Sequence, residues 1–177
     1  MIRIGVDVDN TICNLNVELL RRYNVSLESY PSPELPEGFF ATAQGMEVLE
    51  QAEPLPGAVE TLHILSGKGC EIFYITTRPP LAIGLTRKWL ESRNFPRGAI
   101  NFVPRGRKAS FAGALGIELF FEDDPSEAVE LARVVLWVLV PAWPYNKGAR
   151  AAGMTRFASW ATLQPWIRDL FRFSQAK

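Results

Sequence analysis

Short apolar runs recur along this chain, and each is followed by a stretch whose apolar residues return at helical spacing. The run opening at Arg3, then Glu71 to Ile75, Ala99 to Val103, Glu118 to Phe121 and Val134 to Val140 read as strands. Helices are expected over Ile12 to Tyr23, around Ala43 to Glu50, over Ala58 to about Ser66, Leu81 to Arg93, Lys108 to Gly116 and Ser126 to Arg133. Several of the strands are apolar at nearly every position, as strands buried on both faces are. The expected class is therefore α/β, with a doubly wound, mostly parallel, Rossmann-like sheet.

Such sheets bind ligands outside the carboxyl ends of their strands, and this chain gathers polar residues there. Asp7 and Asp9 end the first strand, Thr76 and Thr77 another, and Asp123 and Asp124 a third. Asp is a poor strand residue, and side chains at i and i+2 of an extended segment point the same way. Two carboxylates in one crevice repel unless a cation or a shared proton relieves them. The pair is thus a metal site, an acid/base pair, or both; a solvated acidic loop is the bland alternative. Converging carboxylates imply a hard divalent cation such as Mg²⁺, which keeps positions open for phosphate. Thr76 and Lys108 add a hydroxyl and an ammonium, the donors that the oxygens of a transferring phosphoryl group need.

Between the first strand and Pro54 the pattern breaks. Pro31, Pro33 and Pro36 cannot sit inside regular elements. Residues 13–53 are expected to form a small cap inserted after the first strand, with 1–12 and 54–177 as the core domain. A last amphipathic helix is expected from Ser159 to Phe171, carrying Trp160, Leu163, Ile167 and Leu170.

In order and spacing, Asp7-Val8-Asp9-Asn10-Thr11, Thr76, Lys108 and Asp123-Asp124 resemble the four motifs of the haloacid dehalogenase-like superfamily, in the form its phosphatases use. Glu53 to Glu60, Ile75-Thr76-Thr77 and Arg105 to Lys108 are similar to segments of the 5'(3')-deoxyribonucleotidases, the cytosolic type C-like nucleotidases. Pro144-Tyr145-Asn146 and Ser159-Trp160-Ala161 resemble late segments of their bacterial members. The resemblance implies an Mg²⁺-dependent phosphomonoesterase that works through an aspartyl-phosphate. Asp7 would be nucleophile and metal ligand, and Asp9 general acid/base with its carbonyl on the metal. Thr76, Thr77 and Lys108 would hold the phosphoryl oxygens. Asp124 is favoured as the direct metal ligand, with Asp123 beside it. Phe39 and Phe40 could stack on a base, and Arg78 could reach a sugar or phosphate.

The expected substrate is a small phosphoester, a (deoxy)nucleoside monophosphate in the first instance and a sugar phosphate in the second. A receiver-like or non-catalytic phospho-binding domain is the rival from another class. Nineteen basic and nineteen acidic residues cancel, leaving no electrostatic footprint for a nucleic-acid polymer or an anionic membrane. Cys13 and Cys70 have neither metal nor disulfide-framework spacing. The chain opens on a strand without the pattern of a secretory signal, so a cytoplasmic, soluble protein is expected, with a homodimer left open. His63, the single histidine, and the tryptophans are read as packing or surface residues.

Overall fold

The computed structural model describes residues 1–163 and 165–167. Strands β1 (Arg3–Val6), β2 (Glu71–Thr76), β3 (Ala99–Phe102), β4 (Leu119–Phe121), β5 (Trp137–Pro141) and β6 (Met154–Phe157) form one sheet in the order β3-β2-β1-β4-β5-β6. Every adjacent pair is parallel. The expected α/β sheet is present, with one more strand than expected, since β6 was not anticipated. It is short and half-exposed at the sheet edge, so its sequence MTRF carries no apolar run. The fifth strand starts at Trp137, because the Val134 and Val135 N–H groups ahead of it donate to the Leu131 carbonyl in a turn.

Helices α1 (Leu15–Arg22), α2 (Ala43–Gln51), α3 (Ala58–Gly67), α4 (Ile83–Ser92), α5 (Lys108–Leu115) and α6 (Pro125–Leu131) cover the sheet. The period-2 rule sorts the strand residues into two cores. Ile4, Val6, Ile72, Tyr74, Leu119, Phe121 and Leu139 pack on one face with residues of α1 to α4. Phe73, Ile75, Phe120, Val138 and Val140 pack on the other with α5 and α6. Gly5 lies on the second face and leaves room for a neighbour's ring. A Cβ there would stand 2.3 Å from Phe120 Cδ2.

Residues 13–53 leave and rejoin the core at one place. The Asn14 N–H donates to the Glu53 carbonyl at 2.7 Å, and the Leu55 N–H to the Ile12 carbonyl at 2.7 Å. Leu15, Leu19, Phe39, Val48 and Leu49 of this segment belong to the same apolar cluster as the first sheet face. The Trp89 indole of α4 also donates to the Ala52 carbonyl at 2.7 Å. The segment is therefore packed onto the core without a separate apolar centre of its own. Of the expected tail helix, Trp160–Leu163 forms a short 3-10 turn; residues 168–177, Leu170 among them, lie outside the described residues.

Candidate active site

Strand β1 lies between β2 and β4, so the carboxyl ends of those three strands are neighbours. The strand order reverses direction at β1 and β4, where doubly wound sheets open a crevice. Asp7 follows β1 directly, and its N–H donates to the Phe121 carbonyl at 2.9 Å. Counting by twos, Asp7 shares its face with Gly5, and Glu122 shares that face with Phe120. Helix α5 covers this face, and its first residue, Lys108, is buried there.

Lys108 Nζ stands 2.6 Å from Asp7 Oδ1 and 2.6 Å from Glu122 Oε2. The Thr11 hydroxyl lies 3.2 Å from both Asp7 Oδ2 and Asp123 Oδ1. The Tyr145 hydroxyl donates to Asp123 Oδ2 at 2.6 Å. Among the described residues, Asp7, Glu122 and Asp123 form a carboxylate group with oxygens within 4.8 Å of one another. Burial pushes the Asp7 carboxyl above its ordinary range; Lys108 opposes this and the Asp9 charge adds to it. Burial also raises Glu122 and Asp123, in the second case reinforced by the Asp7 charge. For Lys108, burial disfavours the ammonium, but Asp7 and Glu122 outweigh it and raise its pKa. One ammonium among three close carboxylates leaves excess negative charge, and all the donors are hard oxygens. These residues fit Mg²⁺.

At two positions the structure gives the side chain a partner that the sequence reading did not anticipate. Asp124, favoured as the direct metal ligand, caps α6 instead: its Oδ1 accepts the Ser126 N–H at 2.9 Å, and its Oδ2 lies 2.8 Å from Arg105. Strand β4 stops at Phe121, so Glu122 and Asp123 fall at the crevice and Asp124 one step beyond it. Arg78 is buried and paired with Asp9. Its side chain is 1 % exposed, and its Nη2 stands 2.7 Å from Asp9 Oδ1.

Thr76 is buried, its hydroxyl oxygen accepting the Arg78 N–H at 3.2 Å, whereas Thr77 is exposed. Thr77 lines a cavity of about 580 Å³ between segment 13–53 and the strand ends. Phe39 and Phe40 line the same cavity, as do Tyr30, Arg105 and Tyr145. Phe39 is mostly covered, packed edge-on against Tyr23 at 5.1 Å and Phe40 at 5.2 Å. Sequence reasoning missed Glu122 and the role of Tyr145. The parity of β4 was the available signal for the first; nothing local signalled the second.

Two tryptophans pin the turn that carries the first motif. Asn10 takes a left-handed φ of 54°, which Asn tolerates. The Trp143 indole donates to the Asn10 carbonyl at 2.8 Å, and the Trp160 indole to the Thr11 carbonyl at 3.0 Å. His63 is remote from all this; its Nε2 lies 2.8 Å from the Asn94 carbonyl.

Comparison with known proteins finds the same fold. A HAD-superfamily hydrolase from Ehrlichia chaffeensis superposes with a TM-score of 0.56 at 13% identity, covering 96% of this chain and 97% of that one. The D,D-heptose 1,7-bisphosphate phosphatase of B. bronchiseptica, solved with magnesium and phosphate, gives 0.59 at 12% identity over 96% and 99%. The chain shares the fold of these haloacid dehalogenase-like proteins along nearly its whole length. Closer in sequence is a Bacillus cereus protein named "Putative nucleotidase", 28% identical over 188 residues, 94% of this chain and 98% of its own. A Halalkalibacterium halodurans protein of the same kind of name is 25% identical over 97% of this chain and 95% of its own. The profile of the family described as "PITM 1-3, LNS2 domain" matches residues 37–112. No helix among the described residues is long and apolar enough to cross a membrane.

Proposed function

We propose that this protein is an Mg²⁺-dependent phosphomonoesterase of the nucleotidase kind, with Asp7 as the nucleophile. The observation that carries the reading is the meeting of Asp7, Lys108, Glu122 and Asp123 at adjacent strand ends, with Asn10, Thr77 and the Asp123 partner Tyr145 lining the neighbouring cavity. The names of the full-length relatives support a nucleotide as substrate. The aromatic and apolar side chains of the cavity, Tyr30, Phe39 and Phe40 among them, suit a nucleobase better than a polyol.

An Asp7 carboxylate oxygen attacks phosphorus, forming an acyl phosphate as the bond to the leaving oxygen breaks. Asp9 gives its proton to that leaving alkoxide. Water then attacks the same phosphorus, loses its proton to Asp9, and releases phosphate and free Asp7. Lys108, held against Asp7 Oδ1, neutralises charge as it builds on the phosphoryl oxygens. Thr76 and Thr77 are the strand-end hydroxyls assigned to those oxygens. Asp7 and Asp123, with the Asp9 carbonyl, would hold Mg²⁺, which when bound supplies positive charge to the phosphoryl group. Segment 13–53 serves as the cap that encloses the leaving group.

Asp7→Asn should remove turnover of deoxynucleoside monophosphates and leave the fold intact, as thermal unfolding would verify. A tetrahedral or trigonal phosphate mimic soaked with Mg²⁺ should bind in line with an Asp7 carboxylate oxygen. Wild-type turnover in Asp7→Asn, or the mimic bound away from Asp7, would overturn the covalent mechanism.

A further inference from the structure

Arg78 is the most fully engaged side chain near the site, yet the mechanism above gives it no task. Its Nε lies 3.1 Å from Asp9 Oδ1 and 3.0 Å from Oδ2, and its Nη2 2.7 Å from Oδ1. The rest of the guanidinium is fixed from other elements. Nη1 donates to the Thr86 hydroxyl of α4 at 3.2 Å, and Nη2 lies 3.5 Å from Cys13 Sγ. Its Cζ sits 5.9 Å from the Trp89 ring centre. A planar, always-charged fork locked on all sides determines where its partner's oxygens point.

We propose that Arg78 is the positioning residue for proton transfer by Asp9. This inference rests on the phosphatase reading of the site. The pairing is unequal: Oδ1 accepts from two guanidinium nitrogens, Oδ2 from one. A carboxylate oxygen has two lone pairs, so Oδ2 keeps capacity to carry the proton, on a side chain that is 17 % exposed. In the first half-reaction the Asp7–phosphorus bond forms, the phosphorus–oxygen bond of the ester breaks, and the proton on Asp9 Oδ2 goes to the departing oxygen. In this role Arg78 acts through Asp9 alone. It sets the carboxylate's rotation, anchored on α4 by Thr86 and at the start of segment 13–53 by Cys13.

A leaving group that needs no proton separates this role from a merely structural one. An alkoxide from a deoxynucleoside 5'-monophosphate must be protonated as it leaves, whereas p-nitrophenolate departs without it. Both substrates are assayed by kcat/KM with wild-type protein, Arg78→Met, Thr86→Val and Asp9→Asn as reference. Arg78→Met should lower kcat/KM for the nucleotide by about 10²-fold, the usual worth of a general acid, while the nitrophenyl ester loses several-fold at most. Asp9→Asn should give the same selectivity. Thr86→Val, which frees one guanidinium nitrogen and keeps the charge, should shift in the same direction by less; it carries the test if Arg78→Met does not fold. Equal losses on both substrates in the variants, or none on the nucleotide, would overturn the inference and leave the phosphatase reading standing. Wild-type protein inactive on both would overturn that reading and this inference together.

Discussion

At the scale of single residues, the site is governed by how few cations serve its acids. Lys108 holds Asp7 and Glu122 at 2.6 Å each with its side chain 2 % exposed. Removing one partner of a buried pair typically costs about 3–5 kcal/mol, because the charge left behind has nothing to meet it. Lys108→Met should therefore lower both activity and Tm. Adding Glu122→Gln should recover part of the Tm and none of the activity; full loss of stability in the double variant would show that the ammonium has another task. The places of Asp7 and Asp9 after β1 and of Lys108 at the head of α5 were legible because strand ends and helix starts are local properties. Glu122 was not singled out, since the end of β4 had to be known to within one residue before its parity meant anything. Asp124 was favoured over Asp123 despite a local clue to its capping role: an Asp directly before Pro125 is a helix N-cap followed by the residue favoured at the first helical position. Arg78 could not be placed at all, because a loop carries no periodicity to say whether a side chain faces in or out.

At the scale of elements, β1 is fitted to its neighbour as closely as to its ligands. Gly5 is required by Phe120, whose ring lies across it; a Cβ there would stand 2.3 and 2.4 Å from two ring carbons. Overpacking of this kind costs about 1–3 kcal/mol, and each kcal/mol moves Tm by roughly 2–4 °C in a chain of this size. Gly5→Ala should lower Tm accordingly, and Phe120→Leu should be less harmful in that background than alone, an interaction a double-mutant cycle would measure. Equal effects in both backgrounds would contradict the contact. The helices and five of the strands were readable from apolar periodicity. Strand β6 was not, because an edge strand alternating with exposed Thr155 and half-exposed Arg156 has little apolar signal to offer. The path of residues 25–41 was equally hidden, since prolines announce irregular chain without saying what it covers.

At the scale of the whole molecule, stability and cation binding are linked through buried acid. Burial first, and the Asp7 charge next, hold Asp123 well above the ordinary carboxylate range. A carboxyl raised in this way keeps its proton in the folded state after the unfolded chain has released it. Its contribution to stability is fully present below about pH 4 and is lost as pH rises toward the raised value. In chelator, Asp123→Asn should thus unfold at a higher temperature than wild type, by a margin that widens from about pH 4 toward neutrality. Mg²⁺ should raise the wild-type Tm and leave the variant nearly unmoved; a margin indifferent to pH would contradict the linkage. The two indoles anchored on the Asn10 and Thr11 carbonyls extend this to optics. Their emission responds to the field and rigidity of the turn they grip, so the protein's own ultraviolet fluorescence offers an unlabelled gauge of ions and phosphates arriving beside Asp7.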